Sequence, residues 1–196
     1  MTRRLPWILL AAFLGLATAA AIVAWQLRPH PEAPAPSAIG GDFRLVDQNG
    51  RLRTQDLLRG KWSVVFFGYT YCPDICPTTL AQLGAAERAL GPRAKTFQVV
   101  FVSVDPERDT PAALKRYLSA QTFPHQIVGL TGTPAQVAAA AKAYKVYYAK
   151  VPQGSTYLMD HSAASYLMDP SGRFVKPLDL AVPPADVAAQ IERAMG

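Results

Sequence analysis

The chain has 196 residues, of which half are apolar and only 17% are charged, and its net charge is +6. This composition excludes a disordered acidic chain, and the length fits one domain with an appendage. The two cysteines exclude a disulfide-dense scaffold, a four-cysteine iron–sulfur cluster and a four-cysteine zinc site. Because the basic residues form no stripe interleaved with aromatic residues, nucleic acid is not an expected partner.

The N-terminal region has the pattern of a membrane anchor. An almost unbroken apolar run of 23 residues extends from Leu5 to Leu27. A helix of this length measures about 34 Å, which is enough to cross a hydrocarbon core of about 30 Å. Arg3 and Arg4 precede the run, and basic residues favour the cytoplasmic side. We therefore predict that residues 1–28 form a cytoplasmic stub and a single transmembrane helix. In a bacterium, the domain would then lie on the periplasmic side of the inner membrane.

A cleaved signal peptide is the alternative, because Ala17-Thr18-Ala19 has the small-x-small form of a cleavage site. The apolar run continues past this point through Ile22 and Val23, which favours the uncleaved anchor. No cysteine follows the run closely, so a lipoprotein anchor is excluded. The four prolines of residues 29–38 predict an extended, semi-rigid linker to a domain at residues 39–196.

From residue 39 onward, strand and helix patterns alternate. Apolar runs, turn dipeptides and Thr-Pro helix starts predict these elements. They are a hairpin of Phe43–Val46 with Arg51–Arg53, a strand at Trp62–Gly68, a helix at Pro77–Leu90, a strand at Phe97–Val104, helices at Thr110–Tyr117 and Thr133–Ala143, a strand at Tyr144–Val151, a hairpin of Ser165–Met168 with Phe174–Leu178, and a helix at Pro183–Ala194. This order predicts an α/β sandwich around a central mixed sheet.

The two cysteines, Cys72 and Cys76, follow the first buried strand and open the next helix. A helix N-terminus offers free N–H groups and partial positive charge, which stabilise a thiolate. A disulfide between them would close a loop of 5 residues and stabilise the fold by only about 2 kcal/mol. A purely structural disulfide is therefore a poor explanation, and the pair is predicted to bind a metal ion or to be redox-active.

Two thiolates leave a metal ion undercoordinated, and the sequence offers His30, His125 and His161 as further ligands. His30 lies in the linker. Spacing favours His161 over His125, because His161 is predicted in a loop before a strand, where an imidazole can reach another loop. Two thiolates and one imidazole suit one Cu(I) in trigonal geometry, or Cu(II) with a further ligand, while zinc with a bound water is the other candidate.

Several stretches together resemble the Sco/SenC family of copper chaperones. They are Gly41-Asp42-Phe43, Phe67-Gly68-Tyr69-Thr70, Cys72-Pro73-Asp74-Ile75-Cys76-Pro77, residues 102–110, Leu130-Thr131-Gly132 and His161-Ser162. The resemblance implies a thioredoxin-like fold, with Cys72, Cys76 and His161 as ligands of one copper ion per chain. It also implies that the partner is the copper-accepting subunit of cytochrome c oxidase, at its binuclear copper centre.

Three functions are compatible with these residues. The first is a metallochaperone, not an enzyme, that holds copper and delivers it to the acceptor. The second is a thiol–disulfide oxidoreductase in which Cys72 and Cys76 reduce the acceptor's cysteines, a role that needs no imidazole. A thiol peroxidase is the third, but nothing in the sequence indicates donors for the leaving oxygen. His161 favours the chaperone, for which an upstream copper chaperone and a thioredoxin-like reductant are further expected partners.

The remaining polar and aromatic candidates have simpler interpretations. Asp105–Asp109 follows a buried strand, and we expect a polar loop that at most shapes the rim of the site. Asp74 is expected to be an exposed carboxylate and Met159 a core or rim residue. Tyr144, Tyr147 and Tyr148 are expected to pack along a strand.

Overall fold

The computed structural model describes residues 39–196 and, within the N-terminal segment, only Phe13, Gly15 and Thr18. Apart from these three, the predicted anchor at residues 1–28 and linker at residues 29–38 lie outside the described residues, as does the alternative of a cleaved signal. Among the described residues, no helix has both the length and the apolar character needed to cross a membrane.

Residues 39–196 form nine strands and four α-helices. In chain order they are β1 (Arg44–Asp47), β2 (Leu52–Thr54), β3 (Trp62–Gly68), α1 (Ile75–Ala89), β4 (Phe97–Ser103), α2 (Pro111–Tyr117), β5 (Ile127–Thr131), α3 (Pro134–Ala143), β6 (Tyr148–Gln153), β7 (Thr156–His161), β8 (Ser165–Met168), β9 (Phe174–Pro177) and α4 (Pro184–Met195). Two short 3₁₀ helices, Gln55–Leu58 and Gly91–Thr96, precede β3 and β4.

Seven of these strands form one sheet in the order β2-β1-β5-β4-β3-β8-β9. The three central strands, β3, β4 and β5, run parallel, and the outer strands pair antiparallel with their neighbours. Strands β6 and β7 form a separate two-stranded sheet. The predicted mixed sheet is therefore confirmed, and its parallel centre places the carboxyl ends of β3 and β4 at one edge.

The core lies on both faces of the large sheet. Successive residues of a strand point to opposite faces, so Phe66 and Phe67 of β3 are buried in different layers. Phe66 packs against Phe101 of β4, with ring centroids 5.9 Å apart. Phe67 packs against Tyr144 at the end of α3, with centroids 5.4 Å apart. Burial on both faces explains why β3 and β4 are continuous apolar runs in the sequence.

The predicted helix starts are confirmed at α2 and α3. The Thr110 side chain accepts a hydrogen bond from the backbone N–H of Ala113. Thr133 and Gln136 form a capping box, in which each side chain bonds the other residue's backbone N–H. Helix α1 begins at Ile75, two residues before the predicted start, so that Cys76 belongs to its first turn.

The prediction of one strand over Tyr144–Val151 is wrong. Tyr144 ends α3, and Lys145 follows in a left-handed conformation with φ of 57°. Val146 and Lys145 donate to the carbonyl groups of Ala141 and Lys142, which forms a Schellman motif that stops the helix. Consequently Tyr147 is exposed outside any strand, and β6 begins only at Tyr148.

Two strands were not predicted. One is β5, in the centre of the sheet, and the other is β7, which pairs with β6 across a turn at Gly154. His161 is the last residue of β7, not a residue of a loop before a strand. The alternation of Tyr157, Met159 and His161 after Gly154-Ser155 is the sequence signal that would have indicated this hairpin.

The close packing of α1 predicts the effect of Gly84→Ala. In an open helix this change stabilises by about 1 kcal/mol. At Gly84, however, a Cβ atom would lie 2.2 Å from the carbonyl oxygen of Thr122 and 2.8 Å from the carbonyl carbon of Phe123. Because overpacking costs about 1–3 kcal/mol, we expect a lower free energy of unfolding, measured by urea denaturation. A raised midpoint would contradict this close contact.

Candidate metal centre

The two cysteines lie where β3 gives way to α1. Cys76 is fully buried, whereas Cys72 is 8% exposed. The backbone N–H of Cys76 donates to Cys72 Sγ, at 3.4 Å. Neither thiol is in a disulfide. The first turn of α1 therefore directs a free N–H at the more accessible sulfur, as predicted for a thiol at a helix N-terminus.

Gly68 provides the space that Cys76 occupies. A Cβ atom at Gly68 would lie 2.9 Å from Cys76 Sγ and 2.8 Å from the Phe101 ring. Real Cβ atoms do not approach other atoms so closely. The glycine before the Tyr69-Thr70 pair thus has a steric function, since it lets the sulfur sit directly against the end of β3.

Burial raises the pKa of the Cys76 thiol well above its usual value, and the nearby Cys72 sulfur and the Asp109 carboxylate raise it further. A hydrogen bond involving the Tyr69 backbone opposes this shift without reversing it. In the metal-free protein Cys76 is therefore a neutral thiol at neutral pH. A metal ion that binds this sulfur must displace its proton.

His161 reaches the same place from β7. Its Nε2 atom lies 3.8 Å from Cys76 Sγ, and its Nδ1 atom lies 3.1 Å from the carbonyl oxygen of Ser162. Because a carbonyl oxygen only accepts, Nδ1 carries the proton in this contact and the Nε2 lone pair faces the sulfur. The ring of Tyr69 meets the imidazole edge-on, with centroids 5.9 Å apart.

The separation of the Cys76 and His161 donor atoms suits a shared metal ion. Bonds of about 2.3 Å to sulfur and about 2.0–2.1 Å to nitrogen, at an angle of about 110–120°, separate two donors by roughly 3.5–3.8 Å. The observed 3.8 Å lies at the upper end of this range. Cys72 and His161 also line a common cleft with Asp74 and Met159.

The described residues contain no preformed cluster of metal ligands. Among the described residues, no three His, Cys, Asp or Glu side chains are gathered closely enough to hold a metal ion. The Cys72 sulfur still accepts from the backbone of Cys76.

The other histidines are placed differently. His125 donates its backbone N–H to the Glu87 carboxylate at 2.6 Å, and its Nδ1 atom lies 3.3 Å from the same carboxylate. Its side chain is 76% exposed. His30 lies outside the described residues. Of the two histidines weighed from spacing, the structure brings His161 to the cysteines and leaves His125 with Glu87.

The loop of residues 105–109 does more than shape a rim, contrary to the sequence interpretation. Asp109 is fully buried and accepts three hydrogen bonds. They come from Thr70 N–H at 3.1 Å, Thr70 Oγ1 at 2.6 Å and Ser103 Oγ at 2.6 Å. Burial raises the pKa of Asp109, and these hydrogen bonds oppose the rise. The carboxylate thereby ties the cysteine loop to the end of β4.

The same loop also contacts the hairpin that carries His161. Asp105 is fully buried, forms an ion pair with Arg108, and accepts from the Tyr157 hydroxyl at 2.8 Å. Arg108 Nη1 donates to the carbonyl oxygen of Tyr157 at 3.0 Å. From the sequence, Arg108 was considered only as part of the polar loop. Tyr157 was not a candidate, because its proximity to this loop depends on the unpredicted strand β7.

The remaining candidates agree with their simple interpretations. Asp74 is exposed and accepts a hydrogen bond from the Thr78 hydroxyl at 3.3 Å, near the start of α1. Met159 is 6% exposed and lines the cleft beside His161.

Comparison with known proteins gives a consistent family. Residues 31–196 match the family model described as SCO1/SenC. The mitochondrial protein SCO2 homolog of Mus musculus is 42% identical over 181 residues, which cover 88% of this chain and 70% of that protein. Bradyrhizobium japonicum ScoI, solved with copper bound, is 49% identical with a TM-score of 0.74, over 79% of this chain and 98% of that one.

A more distant structure is that of BsSco, a member of the Sco family of cytochrome c oxidase assembly proteins in which a disulfide switch was identified. It is 25% identical with a TM-score of 0.64, over 82% of this chain and 95% of that one. Together these matches confirm the thioredoxin-like fold that the sequence motifs implied.

The difference in burial between the two thiols predicts an order of alkylation. In the reduced, metal-free protein near neutral pH, iodoacetamide should modify Cys72 well before Cys76. Cys72 lies at the cleft, whereas Cys76 is buried and its raised pKa keeps it protonated. Peptide mapping by mass spectrometry measures the order. The unfolded protein is the control, in which both should react alike, and faster reaction of Cys76 in the folded chain would contradict the site geometry.

Proposed function

We propose that this chain, which belongs to the SCO1/SenC family, binds one copper ion through Cys72, Cys76 and His161 and delivers it to the copper-accepting subunit of cytochrome c oxidase during assembly. The observation that carries the proposal is the approach of His161 Nε2 to Cys76 Sγ at 3.8 Å. The copper bound by Bradyrhizobium japonicum ScoI supports it, as does the assembly role of the family that includes BsSco.

The chemistry of the three donors fits copper as a cargo. Thiolates select soft Cu(I), which accepts two or three ligands, and an added imidazole also accommodates Cu(II). His161 directs its Nε2 atom towards Cys76, and Cys72 lies at an open cleft from which an acceptor's ligands can replace it. The Cys76 thiol has a raised pKa and must lose its proton to bind copper, so copper affinity falls as the pH is lowered.

Thiol–disulfide exchange is the second candidate, and the accessible Cys72 is the observation that favours it. The Cys72 thiolate would attack an acceptor disulfide, and Cys76 would then displace the acceptor thiol. The chain's dithiol is oxidised to a disulfide while the acceptor disulfide is reduced to two thiols. The disulfide switch of BsSco shows that a family member forms such a bond. Burial of Cys76 slows the second step, which makes exchange the less favoured role.

For the full chain we propose a single-pass anchor at residues 1–28, with the linker at residues 29–38 and the copper domain at residues 39–196 on the exported side. The apolar run behind Arg3 and Arg4 supports this topology. An upstream copper chaperone and a thioredoxin-like reductant would then meet the domain outside the cytoplasm, where the oxidase acceptor is also accessible.

The exchange of His161 for alanine separates copper delivery from thiol exchange. His161→Ala removes a nitrogen donor but keeps both sulfurs, so Cu(II) binding should fall by about 10–100-fold or more, with partial retention of Cu(I). Oxidase activity should be lost in a strain that carries this variant as its only copy. His125→Ala is the matched control, because His125 pairs with Glu87, and it should bind one copper per chain like the parent.

Two results would reject the chaperone. Near-normal oxidase activity of the His161→Ala strain, with protein level verified by blotting and no Cu(II) bound, would favour thiol–disulfide exchange as the main function. Retention of zinc with substoichiometric copper in the parent chain would reject copper as the cargo.

The proposed topology is tested by a reporter. An enzyme active only outside the cytoplasm, fused after Gly196, should be active, and the full-length chain should stay in the membrane through a carbonate wash. A soluble product that begins near Ala20 would establish the cleaved signal instead.

A further inference from the structure

The β6–β7 hairpin is held against the rest of the domain largely by side chains. Its strands pair with each other as a separate sheet, whereas the cysteine loop continues directly from β3 of the large sheet. The position of His161 relative to Cys76 therefore depends on what fixes the hairpin. The strongest set of such contacts joins Tyr157 of β7 to Asp105 and Arg108.

Arg108 contacts Tyr157 directly in two ways and indirectly through Asp105. Its Nη1 atom donates to the Tyr157 carbonyl oxygen at 3.0 Å, and its guanidinium carbon lies 3.7 Å from the centre of the Tyr157 ring. Its Nε atom pairs with Asp105, which also accepts from the Tyr157 hydroxyl at 2.8 Å. These contacts use the planar fork of a guanidinium, which an ammonium group cannot reproduce.

The same guanidinium reaches the cysteine loop. It lies 4.6 Å from the centre of the Tyr71 ring, within cation–π distance, and Tyr71 directly precedes Cys72. One side chain, only 18% exposed, thus contacts both segments that carry the proposed ligands.

Tyr157 transmits this restraint to His161 along β7. Residues two apart in a strand share a face, so Tyr157, Met159 and His161 lie on the same side of β7. At about 3.3 Å per residue, Tyr157 anchors the strand roughly 13 Å from His161. The Tyr69 ring meets the His161 imidazole edge-on, with centroids 5.9 Å apart, which limits independent movement of the imidazole.

From these contacts we infer that Arg108 is a positioning residue for the copper site. It holds the His161 imidazole where Nε2 and Cys76 Sγ can bind the same copper ion. This inference rests on the proposed function, because it concerns the third ligand of the proposed site. Two thiolates suffice for Cu(I), whereas Cu(II) needs the imidazole. Arg108 therefore controls the affinity for Cu(II) relative to Cu(I), through the placement of one nitrogen.

The test uses Arg108→Lys in the full-length chain, purified in mild detergent. Lysine keeps the charge near Asp105 but loses the fork and the flat stacking surface. Cu(II) affinity should fall about tenfold or more, while Cu(I) affinity stays within about threefold. The nitrogen hyperfine coupling in the Cu(II) electron paramagnetic resonance spectrum should weaken. In the metal-free protein, amide hydrogen exchange of β7 should accelerate.

Two further variants show whether Arg108 acts through His161 or through general stability. Arg53→Lys is the matched control, because Arg53 Nε pairs with the buried Asp47 at 2.8 Å in the β1–β2 hairpin, with no contact to the cysteines or His161. Arg53→Lys should leave the affinities for Cu(I) and for Cu(II) unchanged. The double variant Arg108→Lys/His161→Ala should bind Cu(II) as weakly as His161→Ala alone, because the two changes remove one interaction.

Several outcomes would overturn the inference. Unchanged Cu(II) affinity in Arg108→Lys, together with a large loss of Cu(II) affinity in His161→Ala, would reject the role of Arg108 but not the proposed function. Additive losses in the double variant, or equal losses of Cu(I) and Cu(II), would also reject it. Unchanged Cu(II) affinity in His161→Ala would reject both His161 as a ligand and Arg108 as its positioning residue. If Arg108→Lys does not fold, Tyr157→Leu removes both the ring on which the Arg108 guanidinium stacks and the hydroxyl bond to Asp105, and unchanged Cu(II) affinity there would reject the inference.

Discussion

One loop, which connects β4 to α2, holds together the two halves of the metal site. Asp109 in this loop accepts hydrogen bonds from Thr70, two residues before Cys72. Asp105, four residues earlier, accepts from Tyr157, four residues before His161. Both carboxylates are fully buried, and burying a carboxylate is costly unless it is well paired. If the loop separated from either segment, a buried carboxylate would lose its hydrogen-bond partners. The two segments that carry the proposed ligands are therefore held in one arrangement.

The side chains of the three proposed ligands differ in how tightly their surroundings hold them. Cys76 is fully buried against Gly68, and His161 is oriented by Ser162 and Tyr69. Cys72, by contrast, lies at the cleft. A chaperone must hold its cargo firmly and still release it to another protein. Two oriented donors and one reachable donor provide a physical route to both, because an acceptor can begin ligand exchange at the reachable sulfur.

The sequence predicted the sandwich, the cysteine pair at the end of β3 and the proximity of His161 rather than His125 to that pair, because these depend on local patterns and recognisable motifs. The role of these three residues as ligands stays a prediction. The elements it did not predict depend on tertiary contacts. The alternation in β7 is short and indicates a strand only once the turn at Gly154 is recognised. The partners of residues 105–109 are up to 52 positions away in the sequence. A polar loop after a strand is usually solvated, so no local feature distinguishes Asp105 and Asp109 as buried anchors.

The central claim is that both cysteines and His161 bind the same copper ion. X-ray absorption spectroscopy of the copper-loaded chain, recorded for Cu(I) and Cu(II), measures the donor atoms directly. If all three residues bind the ion, the Cu(II) form has two sulfur scatterers at about 2.3 Å and one imidazole nitrogen at about 2.0 Å. The imidazole signal should disappear in His161→Ala and persist in His125→Ala. A Cu(II) spectrum without an imidazole, or one that loses it only in His125→Ala, would contradict the account.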